Sequence, residues 1–289
     1  MRRTAILLAT LLALAGCART QRVADPTGPS GGVPFEVRAA HVVAQWQQLH
    51  LDRAWRTGLV PIGELTKLVG GDPGFTGDTK VAFTEGSFRL AGQLPTAVPA
   101  PAVITFPDGK PLTVPVVGAA QAYAELGGTG AKSNVPALTV TGATLGSVAL
   151  LTSRGTVQAP AWIFTIPEIR IPVARVAVAP DAMTPLLVAQ DRPDERVPGL
   201  SRPETVTPDG ALDLTIGYTG GACDTSARGV VYETDGEVVL GVITTQEPGA
   251  CTAIGIERTV RVTLTRPLDD RVLLDAELGG PIVPGAGRR

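Results

Sequence analysis

One serine of the sequence lies in a pattern that hydrolases use for nucleophilic attack. Residues Gly28-Pro29-Ser30-Gly31-Gly32 follow the G-x-S-x-G pattern, in which a strand and a helix hold the serine on a strained turn so that its hydroxyl can attack a carbonyl carbon. Here Pro and Gly surround the serine, and neither a strand nor a helix is predicted beside it. We therefore expect no nucleophile at Ser30.

A second pattern approaches a phosphate-binding loop. Residues 127–133 read Gly-Gly-Thr-Gly-Ala-Lys-Ser, but Ala131 stands before Lys132 where the loop needs glycine. Pro136 then blocks the helix whose N-terminus would hold the phosphate. We interpret the segment as a surface loop.

The residues that act as general bases or metal ligands are scarce or badly spaced. His41 and His50 are the two histidines, and neither a Cys-x-x-Cys nor a His-Glu-x-x-His spacing occurs. We therefore predict no catalytic residue, no metal ligand and no cofactor. The alternative is a hydrolase of cell-envelope polymers or peptides that uses carboxylates such as Glu233, Glu237 or Asp275.

The densest acidic group is Asp269, Asp270, Asp275 and Glu277. Carboxylates at these positions could bind Ca²⁺, but their spacing differs from that of a calcium-binding loop. Arg271 in their midst favours surface ion pairing instead.

The first 17 residues have the pattern of an export signal. A basic start, Met1-Arg2-Arg3, precedes an apolar run over residues 5–14, which at ten residues is too short to span a bilayer. Leu14-Ala15-Gly16-Cys17 resembles the lipobox of bacterial lipoproteins, which implies a diacylglycerol on the Cys17 sulfur and cleavage in front of it. We therefore expect a signal peptide over residues 1–16 and a protein anchored by lipid to the extracytoplasmic face of the cell membrane. An ordinary cleaved leader is the alternative.

Two cysteines remain once Cys17 is assigned to lipid. In an oxidising compartment Cys223 and Cys251 are expected to form one disulfide. Two free buried thiols are the alternative.

The composition favours a folded, mainly β protein. Hydrophobic residues make up 44 % and charged residues 18 %, so the chain can bury a core. The net charge of −2, without a stripe of Lys and Arg, argues against nucleic-acid binding. Val, Leu, Ala and Ile supply the apolar residues, while 34 Gly and 25 Pro interrupt them, which favours short strands separated by turns.

Composition also suggests how the chain is divided. We predict a flexible tether over residues 17–34, an α+β domain over 35–180, a Pro-rich linker over 181–210 and an antiparallel, sandwich-like β domain over 211–289 that carries the disulfide.

Local patterns predict the individual elements. Ala39, Val42, Val43, Trp46 and Leu49 form a helical stripe, although a strand also fits part of it. We further predict a short helix over residues 61–69, a hairpin over 81–90 and a helix over 119–126. In the last domain we predict four strands, over 211–218, 229–234, 237–245 and 259–266, with Asp-Gly at 235–236 as a primed turn.

Several runs together resemble uncharacterised surface lipoproteins of high-GC Gram-positive bacteria. They are Leu138-Thr139-Val140-Thr141-Gly142, Thr152-Ser153-Arg154-Gly155, Pro160-Ala161-Trp162, Gly220-Gly221-Ala222-Cys223 and residues 266–272. The resemblance implies an exported, lipid-anchored, disulfide-bearing protein and carries over no catalytic residue. The expected role is non-catalytic, in binding, scaffolding or sensing at the cell envelope. A companion of a membrane sensor or transporter is a further alternative.

Overall fold

The computed structural model describes residues 32–127, 134–186 and 195–285. Strands hold 40 % of the chain and helices 16 %, and several sheets are antiparallel, which confirms a mainly β protein. The helices are α1 (Phe35–Gln48), α2 (Asp52–Thr57), α3 (Gly77–Thr84) and α4 (Ala119–Ala124). No helix in these ranges is both long and apolar enough to cross a membrane.

A four-stranded antiparallel sheet forms the centre of the N-terminal part. Its order is β1-β8-β7-β6, and a parallel pair, β2 with β5, and a hairpin, β3 with β4, accompany it. The strands are β1 (Thr66–Leu68), β2 (Phe88–Leu90), β3 (Ala102–Thr105), β4 (Pro111–Val114), β5 (Leu138–Val140), β6 (Gly142–Thr152), β7 (Gly155–Thr165) and β8 (Val173–Val176).

Two sheets with a core between them form the C-terminal part. One has the order β10-β11-β14, and the other has the order β12-β13-β15-β16, with β9 also paired to β13. The strands are β9 (Leu200–Ser201), β10 (Thr205–Pro208), β11 (Asp213–Gly221), β12 (Asp224–Glu233), β13 (Glu237–Gln246), β14 (Gly255–Thr263), β15 (Val272–Asp275) and β16 (Pro281–Ile282). All pairs are antiparallel except β13 with β15.

The apolar stripe at the start of the described chain folds as helix α1, the first of the two interpretations. Its buried face packs against strands of the C-terminal sheet, in one core with Val239, Val272 and Leu274. Trp46 of α1 also meets Trp55 of α2 edge to face, with ring centroids 5.3 Å apart. The first helix of the described residues is therefore held by strands of the C-terminal part.

The predicted linker contains regular structure at its C-terminal end. Strands β9 and β10 both lie within residues 181–210, where Pro and charged residues suggested a boundary. They form because β13 and β11 offer them free edges, which local composition does not reveal. The division into two domains stays a prediction.

Two local predictions in the N-terminal part are wrong. Residues 61–69 hold strand β1 rather than a helix, because Thr66–Leu68 pairs with β8. Residues 77–84 form helix α3 rather than half of a hairpin, since Thr76 caps the helix and exchanges hydrogen bonds with Thr79. Strand β2 then pairs in parallel with the distant β5 instead of with its neighbour in sequence.

The hairpin at Asp235-Gly236 is present, but its turn is not of the primed type. Neither residue has a positive φ. The turn is closed instead by Thr234 and Glu237. The backbone N–H of Thr234 donates to the carbonyl oxygen of Glu237 at 2.9 Å, and the Thr234 hydroxyl donates to the Glu237 carboxylate at 2.5 Å. The side-chain bonds replace the backbone geometry that the Asp-Gly pair predicted.

Candidate functional site

The predicted disulfide between Cys223 and Cys251 is present. Cys223 lies in the turn between β11 and β12, and Cys251 lies in the connection from β13 to β14; their Cα atoms are 6.0 Å apart. The bridge therefore ties two connections at one end of the C-terminal sandwich. Residues 245–257 around it are exposed, so the bridge holds a surface loop rather than a core.

Three of the singled-out positions lie outside the described residues. These are Cys17, Ser30 and Lys132. Lipid attachment at Cys17 accordingly stays a prediction, as do the interpretations of the serine pattern and the Gly-rich loop.

The carboxylate of Glu233 is bound on both oxygens. It accepts from Arg271 at 2.7 Å and from the backbone N–H of Thr265 at 2.7 Å. The same guanidinium donates to the carbonyl oxygens of Arg266 and Pro267, and Arg271 is buried. This ion pair fastens the turn before β15 to β12, which is a structural role.

The carboxylate of Glu237 is buried and lies apart from that of Asp275. Gln47 of α1 donates to both of its oxygens at 3.4 Å, and the Thr234 hydroxyl donates to one of them. On the neighbouring strand β15, Asp275 lies opposite Leu240. Leu240 is three residues along β13 from Glu237, so the two acidic residues are separated by about 10 Å along the strand direction. The structure therefore does not bring the predicted carboxylates into one cluster.

Strands β9 and β15 lie along the same side of β13 and meet end to end opposite Gly241. Ser201 pairs with Val242, and Asp275 pairs with Leu240, so both strands stop at this glycine. A Cβ on Gly241 would lie 2.6 Å from Leu200 Cδ1, so a larger residue here would require the Leu200 side chain to move.

Asp275 is buried where the two strands meet. Burial raises the pKa of Asp275 from 3.8 to about 6; Glu277 raises it as well, whereas the Glu277 N–H and the nearby Arg202 oppose the shift. The Glu277 N–H donates to one carboxylate oxygen at 2.8 Å. Nε of Arg202 is buried and has no hydrogen-bond partner within the described part of the chain.

Arg38 of α1 binds the chain just beyond this junction. Its Nε donates to the carbonyl oxygen of Ala276 at 2.8 Å and one terminal nitrogen donates to that of Glu277 at 2.8 Å. The other terminal nitrogen is 2.8 Å from the Glu195 carboxylate, whose second oxygen is 3.2 Å from Nδ1 of His41. Arg38 is 3 % exposed, so these bonds form away from solvent.

The sequence contains a signal for Arg38 that the apolar stripe alone does not show. Arg38 lies four residues before Val42, and therefore on the apolar face of α1. An arginine on the buried face of a helix needs a carboxylate or carbonyl partner. We call Arg38, Glu195, His41, Asp275 and Arg202 the junction cluster; Arg38 and Asp275 are buried in it, whereas the His41 side chain is 50 % exposed.

A groove of about 510 Å³ opens elsewhere, beside the start of α3. Arg89, Asp78 and Glu168 bring charges of both signs to it, and Thr76 and Thr79 bring hydroxyl groups. Both oxygens of Glu168 accept from the backbone N–H of Thr139, at 3.1 and 3.2 Å. The groove is shallow because most of its lining residues are exposed.

The described residues contain no group of three or more His, Cys, Asp or Glu side chains arranged to hold a metal ion. Within the acidic region, Asp270 pairs with Arg56 at 2.6 Å, and Arg271 pairs with Glu233. The Asp270–Arg56 pair lies at the surface, as expected for this region, whereas Arg271 is buried and pairs outside the acidic group.

The buried Asp275 makes a prediction for the pH dependence of stability. Because its folded pKa lies above its unfolded value, its protonation stabilises the fold fully below pH 3.8, and this contribution is lost as the pH rises through 6. The difference between the folded and unfolded pKa values corresponds to about 3 kcal/mol in the free energy of unfolding. We expect the stability of the wild type relative to Asp275→Asn to fall by that order between pH 3.5 and 7.5 in urea titrations followed by tryptophan fluorescence.

The control for this titration is Asp181→Asn, which removes an exposed carboxylate. Its stability difference from the wild type should not vary with pH. A difference for Asp275→Asn that is equally flat across the range would contradict the assignment of a raised pKa to Asp275.

Comparison with known proteins finds no family model, no curated protein and no solved structure that matches this chain. Its function therefore has to be inferred from its own residues.

Proposed function

We propose that the chain is an exported protein, anchored by lipid on Cys17 to the extracytoplasmic face of the cell membrane, whose folded part binds or scaffolds other envelope components without catalysing a reaction. The observation that carries the export is the Cys223–Cys251 disulfide in an exposed loop. Disulfides persist in oxidising compartments and are rare where thiol reductants are abundant. The apolar run over residues 5–14 and the lipobox-like Leu14-Ala15-Gly16-Cys17 support the same location.

The non-catalytic role is supported by what the best candidate carboxylates already do. Glu233 is committed to Arg271, Glu237 to Gln47 and Thr234, and Asp275 is 4 % exposed. General acids and bases must reach a substrate at hydrogen-bond distance. In this arrangement each of the three groups holds the fold together instead, which disfavours the envelope hydrolase.

A scaffolding role also agrees with how the molecule is braced. The junction cluster, the Glu233–Arg271 pair and the disulfide each join segments far apart in sequence. A rigid body on a lipid anchor presents its surface at a fixed place on the membrane, as a binding protein requires.

The anchor is tested by Cys17→Ser in the full-length chain. We expect the wild type to fractionate with membranes and to incorporate an alkyne-labelled fatty acid. Two or three acyl chains hold a protein durably on a membrane, whereas a protein without acyl chains has no lipid anchor. Cys17→Ser should lose the label and should no longer be held on the membrane by lipid. The neighbouring Ala18→Ser variant, which keeps the thiol, should behave as the wild type. If the wild type takes up no label, lipid anchoring is wrong.

A further inference from the structure

Within the described part of the chain, strand β6 is an edge strand whose outer side is open over residues 143–147. It ends the sheet β1-β8-β7-β6 and pairs with β7 through eleven consecutive register positions without a bulge. In an antiparallel pair alternate residues turn their N–H and C=O groups away from the partner. Leu151 and Ala149 are two of the residues that face away from β7, because their carbonyl oxygens accept hydrogen bonds from outside the β6–β7 pair.

The covered part of this edge stops at Ala149. Ile62 and Gly63 donate to the carbonyl of Leu151, and Nζ of Lys67 donates to that of Ala149. By the same alternation Ser147, Leu145 and Ala143 also turn their backbone groups outwards. These groups have no hydrogen-bond partner within residues 32–127, 134–186 and 195–285.

The open stretch lacks the devices that normally protect an edge. Folded proteins block such edges with charges, prolines or bulges, because unpaired backbone groups invite another strand. Residues 142–148 read Gly-Ala-Thr-Leu-Gly-Ser-Val, without a charge or a proline. Other strands of this protein do carry such devices: β14 has Glu257, Arg258 and Arg261, β10 has Pro208, β16 has Pro281 and β12 has a register shift at Asp224–Ser226.

We propose that this edge pairs, antiparallel, with the same edge of a second copy of the chain. A two-fold axis at Leu145 sets Leu145 against Leu145 of the second copy and Ala143 against its Ser147. Each of these pairs exchanges two backbone hydrogen bonds. The four strands of each copy then form one continuous sheet.

The lack of charge supports a second copy as the occupant. Two-fold pairing brings every side chain near its own copy or near a residue of the same short stretch, so a charged residue would meet a like charge. The open edge is neutral and avoids this cost. Lys67 binds the carbonyl oxygen of Ala149, four residues from the two-fold axis. Lys67 and its counterpart in the second copy would therefore be about 27 Å apart, well beyond the screening length of about 8 Å.

The pairing also covers an exposed apolar side chain. Leu145 is 47 % exposed, and its neighbours Thr144, Gly146 and Ser147 are exposed as well. In the two-fold pair the Leu145 side chains lie side by side on one face of the sheet, next to Trp162 on β7. Part of their apolar surface is thereby removed from water.

Cross-linking at the two-fold axis tests the proposal directly. In a hydrogen-bonded antiparallel pair the facing Cα atoms are about 5.5 Å apart, which suits a disulfide. We expect the full-length Leu145→Cys protein in membranes to form a covalent dimer on mild oxidation, seen on a non-reducing gel. The matched control is Leu212→Cys, a 37 % exposed leucine beside β11 in the C-terminal part. Dimer formation no faster than in the control overturns the proposal.

A second measurement uses charge instead of cysteine. Sedimentation of the detergent-purified full-length chain should show a dimer, and Leu145→Lys should weaken dimerisation at least tenfold, because it places two ammonium groups face to face. Leu212→Lys should leave the dimer unchanged, and circular dichroism should show that both variants are folded. A monomeric wild type, or a dimer that Leu145→Lys does not weaken, overturns the proposal.

Discussion

Replacing Arg38 by methionine is expected to lower the free energy of unfolding by about 3 to 5 kcal/mol, the range for removing one partner of a buried ion pair. The substitution keeps much of the apolar stem but takes three hydrogen bonds away. The carbonyl oxygens of Ala276 and Glu277 lose the donors that bind them, and Glu195 loses the guanidinium. Urea unfolding measured by tryptophan fluorescence reports the change, since Trp46 lies on the same helix.

The matched control is an arginine whose ion pair lies in solvent. Arg170 is 3.0 Å from Asp72, and both side chains are 73 % exposed. Arg170→Met should cost no more than about 1 kcal/mol, as exposed pairs generally do. Equal losses for Arg38→Met and Arg170→Met would contradict the role assigned to the buried guanidinium.

A double substitution separates the charge from the carbonyl contacts. Much of the lost stability can come from leaving the Glu195 carboxylate beside methionine. In that case the double variant Arg38→Met with Glu195→Gln should lose less free energy of unfolding than the two single variants lose together. The remaining loss then belongs to the hydrogen bonds with Ala276 and Glu277. Arg38→Lys should be intermediate, because an ammonium cannot reach all three acceptors in the geometry of the guanidinium.

Removing the disulfide is the second large effect. Cys223→Ser with Cys251→Ser should lower the free energy of unfolding by about 3 to 4 kcal/mol, because the bridge closes a loop of 28 positions in the unfolded chain. The loop around it is exposed, so we expect little change in the folded core. The loss therefore arises mainly in the unfolded state.

Reductant supplies the control for this prediction. Dithiothreitol should destabilise the wild type by about as much as the double substitution does, and should leave the double variant unchanged. Both effects are read from urea midpoints at one pH. A wild type that resists strong reductant under denaturing conditions, or a double variant as stable as the wild type, would contradict the entropic role of the bridge.

The junction cluster suggests why the first helix after the predicted tether matters. Helix α1 begins at Phe35, directly after the residues that we expect to link the fold to its lipid, and it is bound to the C-terminal sheet through Arg38. In the proposed arrangement the anchor thus leads straight into a helix clamped to the last strands of the chain.

How much of the site the sequence predicted depends on sequence separation. The disulfide followed from cysteine parity and compartment, and the helical stripe identified α1. Arg38 and Ala276 are 238 positions apart, and no local pattern links them. The three candidate carboxylates were chosen by residue type, whereas their partners, such as Arg271 and Gln47, emerged from packing.

The sequence by itself determined the features that depend on neighbours along the chain. Helix α1, helix α4 and strands β11 to β14 follow from apolar periodicity and turn residues, because these act within a few positions. The open edge of β6 also depends on its sequence, since a single charge or proline in residues 142–148 would have closed it.

Only the tertiary structure decided which distant segments meet. Helix α3 and strand β2 replaced the expected hairpin because a capped helix and a parallel partner were available. The packing of α1 on the C-terminal sheet and the meeting of β9 with β15 at Gly241 depend on contacts across more than 30 positions. Burial then gave Arg38 and Asp275 their properties, because a charge acquires its cost and its partners only when the surrounding chain excludes water.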